Sequence, residues 1–167
     1  LFALITTFFW FFCWALSELP EKQGFPATLG YVVWALTMII PALVALKIIN
    51  WKPDKHRKAI LHGLLIGFFG SAGQLILFQA LKTGPAYLVF PFVSLSPLVT
   101  IFLSLVLLKE KATLKSWVGI VIALIAIPLL SYQPSENGTK YGSLWILLAL
   151  LVFLTWGIQA YFMKAAN

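Results

Sequence analysis

The chain has 167 residues, of which 61% are hydrophobic and 16% aromatic against only 10% charged. Soluble domains hold roughly half their residues as apolar, so this composition excludes an ordinary soluble fold. The formal charge of +7 needs no nucleic-acid partner, because the basic residues lie in the gaps between long apolar blocks and fit anchoring at anionic headgroups.

Six such blocks run over about 1–17, 29–49, 59–81, 86–108, 114–132 and 142–162. Each is close to the roughly 20 residues that a helix needs to cross a bilayer. An open sheet leaves backbone groups unsatisfied in lipid. The prediction is therefore an all-α membrane protein, a polytopic bundle of about six transmembrane helices.

Block one carries Trp10, Trp14 and Cys13, the single cysteine. It lacks the basic start and small-residue cleavage site of a signal peptide, so it reads as a span. Block two contains Pro41 and leads into a basic gap. Block three carries Gly63, Gly67, Gly70 and Gly73 on one broad face, which predicts a seam where another helix backbone comes close. Gln74 sits beside that seam and Phe78 one turn on.

Lys82-Thr83-Gly84-Pro85 predicts a tight turn, with Gly84 left-handed and Pro85 opening the next helix. Blocks three and four are then antiparallel neighbours. Block four holds Pro91 and Pro97. Each lacks an N–H and frees a carbonyl one turn earlier, on Tyr87 and Val93, with Ser94 and Ser96 nearby to satisfy it. A kink follows, serving as a hinge and cavity wall or as structure alone. Block six brings Trp156 and Gln159.

Orientation follows from the basic residues. Lys47, Lys52, Lys55, Arg57, Lys58, Lys109, Lys111, Lys115 and Lys164 mark one side, and only Lys22, Lys82 and Lys140 the other. The first side is expected to be cytoplasmic, with the start of block one on it. A self-comparison at an offset of 146 sets Leu1-Phe-Ala-Leu on Leu147-Leu-Ala-Leu and Trp10 on Trp156. With five helices in the repeat, an odd number, block six opens a second, inverted repeat. The expected organisation is one five-helix repeat over 1–133, then the first helix of another over 142–162, with the remainder of that repeat in cis.

The segment from Gln79 to Tyr132 resembles the second half of an EamA repeat of the drug/metabolite transporter superfamily. The matching residues are Ala80-Leu81, Gly84-Pro85-Ala86, Pro97, Glu110 and Trp117-x-Gly119, and Trp156-Gly157 resembles the start of such a repeat. Phe11 after Trp10, and Ala123 with Ile127-Pro128, stand where the repeat usually has glycine. The resemblance implies ten helices in two inverted repeats, with alternating access to a substrate cavity between them. Its small-molecule substrates would be amino-acid-like, amine or sugar-like solutes crossing the inner membrane.

Polar groups within spans are costly and need a reason. The amides of Gln74 and Gln159 either tie helices together or face a wet cavity. Trp10, Trp14, Phe78, Tyr87, Ser94 and Trp156 join them as candidate cavity residues, and Trp34, Trp51, Trp117 and Trp145 read as packing or interface anchors. No Asp, Glu or His falls mid-block, so proton coupling would need a group elsewhere, and Glu110 reads as a structural charge beside Lys109 and Lys111. Without H-E-x-x-H, G-x-S-x-G or paired carboxylates the residues give no sign of an enzyme, a metal or a cofactor. The competing reading is a membrane assembly or regulatory subunit without transport of its own.

Overall fold

Lipid supplies no hydrogen bonds, so every long apolar stretch closes its backbone on itself. The computed structural model describes residues 23–111, 113–131 and 143–166, together with Leu4, Ile5 and Phe8. Almost the whole of block one, with Trp10 and Trp14, lies outside the described residues. The described helices are α1 (Ala27–Thr37), α2 (Ile39–Ile48), α3 (Arg57–Thr83), α4 (Ala86–Ser94), α5 (Pro97–Leu107), α6 (Leu114–Ser131) and α7 (Leu144–Ala165).

Among the described residues four helical segments are long and apolar enough to cross a membrane: Ala27–Ile48, Arg57–Thr83, Ala86–Leu107 and Leu144–Ala165. Two of them are interrupted by proline. Pro41 denies the Thr37 carbonyl its usual donor, and the chain steps at Met38 between α1 and α2. The second step, at Leu95 and Ser96, divides α4 from α5. Here a backbone donor, and not a serine hydroxyl, satisfies the carbonyl that Pro97 frees. The Val93 carbonyl that Pro97 leaves free accepts the Ser96 backbone N–H at 2.9 Å. The Ser94 hydroxyl donates instead to Phe90 O at 2.7 Å.

The α3–α4 turn also differs from expectation. Gly84 is extended, at φ −136° and ψ 168°, and Pro85 caps α4 rather than entering it. Glycine is needed there for space, since a Cβ would stand 2.4 Å from the Trp145 Cβ. Nor do α3 and α4 pack along their lengths; they meet around the turn, and α7 packs on both. Leu77, Ala80 and Leu81 of α3, Ala86, Val89 and Val93 of α4, and Trp145, Ala149 and Val152 of α7 form one buried core. Between helices in lipid, close packing holds such a core, because lipid tails are as apolar as leucine.

α2 ends in a Schellman motif. Trp51 N–H reaches Leu46 O at 2.8 Å and Asn50 N–H reaches Lys47 O at 3.0 Å, which satisfies two end carbonyls. Asn50 and Trp51 both take positive φ, 52° and 57°. Left-handed backbone costs roughly 1–2 kcal/mol per non-glycine residue, and asparagine tolerates it far better than tryptophan.

Candidate functional site

α3 and α7 run antiparallel in one register that the glycines fix. A Cβ on Gly84 meets Trp145, one on Gly73 falls 2.5 Å from Trp156 Cδ1, and one on Gly70 falls 2.5 Å from Gln159 Nε2. Continuing that register sets Leu77 opposite Val152 and Ala80 opposite Ala149, all four fully buried. The seam is shorter than four regularly spaced glycines predicted. Gly63 and Gly67 are exposed and have nothing within 4 Å of a built Cβ, so neither faces α7. Ring contacts bridge that end instead: Phe69 stacks on Phe162 at 5.9 Å and His62 meets the same ring edge-on at 6.2 Å.

Gln74 is placed within this seam and is 2% exposed. Its Nε2 has no hydrogen-bond partner among the described residues. A buried amide that donates to nothing loses its solvation without return, a cost of about 1–3 kcal/mol. Gln159 lies one turn nearer the Phe162 end, its amide against Gly70, and Trp156 lies against Gly73. Phe78, one turn along α3 from Gln74, is buried as well. The geometry therefore brings Gln74, Trp156 and Gln159 to one stretch of the seam, while Phe78 is buried outside the core cluster that Trp156 packs on. Tyr87 is exposed, and Ser94 is exposed with its hydroxyl turned to its own helix.

The step between α4 and α5 receives α7. A Cβ on Gly157 would lie 2.3 Å from Val99 Cβ and 2.8 Å from the Ser96 carbonyl. The Thr100 hydroxyl donates to Gly157 O at 2.9 Å. Pro97 thus opens the step into which α7 docks, while Pro91 lies within α4. Three participants were not singled out from the sequence as site residues. Thr100 bonds 57 positions away; Ser104 is 2% exposed with an unpartnered hydroxyl; and Glu110 pairs with Lys164 rather than with its neighbours in the chain. Only the polar character of Thr100 and Ser104 inside an apolar block signalled them.

Several other in-span hydroxyls bond within their own helix. Ser71 donates to Phe68 O at 3.1 Å, and Thr155 to Leu151 O at 2.9 Å. Hydroxyls bonded back in this way keep lone pairs to accept but offer no proton. The Gln74 amide and the Ser104 hydroxyl, by contrast, are buried without a partner among the described residues. Among the described residues no group of three metal-ligating side chains occurs.

A bundle of apolar helices, interrupted at prolines and packed through glycine, with amides buried between helices, defines a multi-pass membrane protein. The family model of the EamA-like transporter family matches residues 1–132, and the chain belongs to that family. It is 37% identical over 75 residues to an uncharacterized protein of Methanocaldococcus jannaschii, a match covering 45% of this chain and 55% of that one. The chain thus spans about half the length of that relative. It is also 30% identical over 81 residues to the probable 4-amino-4-deoxy-L-arabinose-phosphoundecaprenol flippase subunit ArnE of Hamiltonella defensa, covering 48% of this chain and 73% of that one. No solved structure matches.

Proposed function

We propose that this chain forms part of a transporter that carries a small polar solute across the cytoplasmic membrane by alternating access. In this reading α7 opens a second, inverted repeat, and the substrate site lies along the seam between α7 and α3. The observation that carries it is the Gln74 amide, buried at the seam with an unpartnered donor. Intramembrane polar groups that are not spent on structure mark solute paths. A solute presenting a hydroxyl, carbonyl or carboxylate oxygen supplies the missing acceptor, with Trp156 and Phe78 as apolar walls. Amino-acid-like, amine and sugar-like solutes all carry such an atom or can be selected by such walls.

The basic loops support a cytoplasmic start of the chain, and bacterial-type inner membrane is the compartment this reading assigns. With no acidic residue placed mid-span, exchange, facilitated diffusion or a coupling group on the second repeat fits better than a proton relay here. Flux of radiolabelled metabolites by proteoliposomes of the full-length protein tests the reading. Gln74→Leu is expected to abolish movement of the transported class while leaving the fold intact.

A second reading has its own observation. A relative is named as a flippase subunit, which favours a chain that works only in an assembly. Chemical crosslinking in membranes that traps a stoichiometric hetero-partner, together with flux only when that partner is present, supports this second reading.

A further inference from the structure

Five cations stand within twelve positions at the junction of α2 and α3: Lys47, Lys52, Lys55, Arg57 and Lys58. The one carboxylate among them, Asp54, accepts the His56 backbone N–H at 2.9 Å. Arg57 and Lys58 open α3, whose first turn contains no acidic residue. Positive charge there opposes the helix dipole, so the arrangement is stabilised by an anion from outside the chain. Trp51 lies among these cations, 62% exposed. It is held there by a backbone at φ 57° that tryptophan seldom adopts.

The second basic loop is built differently. Between Lys109 and Lys111 stands Glu110, which pairs with Lys164 of α7. The cations of the α2–α3 loop form no ion pair among the described residues, and Asp54 is spent on the His56 N–H. Its two flanking segments, Ala27–Ile48 and Arg57–Thr83, are both long and apolar enough to span, which fixes the loop at headgroup depth.

We propose that the α2–α3 loop is a docking surface for anionic phospholipid headgroups, with the Trp51 ring set into the interface and the surrounding cations on the phosphates. Tryptophan favours that depth because its ring is apolar and its N–H can reach the headgroups. Basic residues close to an anionic bilayer add attraction charge by charge. The partner is a lipid surface rather than a soluble anion, because an exposed aromatic among the cations adds nothing to the capture of free phosphate. The inference rests on the two spans and not on transport.

The test uses the full-length protein in nanodiscs of phosphatidylcholine containing spin-labelled phosphatidylglycerol or spin-labelled phosphatidylcholine, reading the immobilised fraction of each. The native protein is expected to prefer phosphatidylglycerol and to lose that preference at high salt. K52Q/K55Q/R57Q/K58Q lowers the preference at least about fivefold, the factor one basic residue near an anionic surface contributes. Trp51→Ala lowers it in part, and K109Q/K111Q/K115Q leaves most of it. Equal preference in native and quadruple variant, or an equal loss from the second loop, overturns the proposal. Displacement of phosphatidylglycerol by inorganic phosphate but not by chloride at the same ionic strength also overturns it, in favour of a soluble-anion site. Should the quadruple variant fail to fold, the salt dependence of the native protein and Trp51→Ala decide.

Discussion

Gly157→Ala is expected to be the most damaging methyl that can be added to the described helices. The new Cβ would stand 2.3 Å from Val99 Cβ and 2.8 Å from the Ser96 carbonyl. Carbon atoms prefer about 3.5–4.0 Å, so α7 and α5 must part by more than 1 Å, and a backbone oxygen leaves little room to yield. Overpacking of this kind costs about 1–3 kcal/mol. Separation also weakens the Thr100–Gly157 hydrogen bond, and such interhelical bonds contribute about 0.6 kcal/mol on average. Alanine's better helix propensity returns up to about 1 kcal/mol. The net loss is therefore about 1–3 kcal/mol. Thermal unfolding in detergent, followed by size-exclusion of a fluorescent fusion, measures it. Gly67→Ala is the control, for nothing lies within 4 Å of its Cβ, and it should be neutral or slightly stabilising. Equal behaviour of the two variants refutes the claim that α7 docks into the α4–α5 step.

Other outcomes follow from the same contacts. Gln74→Leu removes a buried unpartnered amide and should raise thermal stability, by about 1–3 kcal/mol, while transport is lost; a drop in melting temperature would mean that the amide is a structural tie. Gly73→Ala, whose Cβ would lie 2.5 Å from Trp156 Cδ1, should destabilise by about 1–3 kcal/mol and Gly63→Ala should not, the same melting assay separating them. Glu110→Gln should cost less than about 1 kcal/mol, since the Glu110 and Lys164 side chains are both 44% exposed and such pairs are screened. A double-mutant cycle with Lys164→Gln measures the coupling, which should shrink as salt is added.

The spans were legible because lipid makes hydrophobic length almost decisive, and α3 and α7 stand where the uninterrupted apolar runs stand. What the pattern misread were features that depend on a partner far along the chain. Gly84 looked like a left-handed turn residue, yet its hydrogen side faces Trp145, 61 positions later. Gly63 and Gly67 share a broad face with Gly70 and Gly73, but both are exposed with open space around them, because spacing shows which face is small and not which part of it a neighbour covers. Pro97 signalled a break correctly in kind, while the donor that heals it is the Ser96 N–H in the adjacent turn. Of the candidate site, Gln74 and Gln159 stood out as amides inside apolar runs. Thr100 and Ser104 did not, since hydroxyls are cheap in helices and usually bond within their own turn.

In the function proposed above, Gln74 is kept buried to meet a solute. Solute flux through proteoliposomes of the full-length protein, native and Gln74→Leu, at matched folded content, decides this. The native protein is expected to move one class of small polar solute and the leucine variant, equally or more stable, to move none. Undiminished flux in the leucine variant, or no flux of any solute by well-folded native protein, would contradict it.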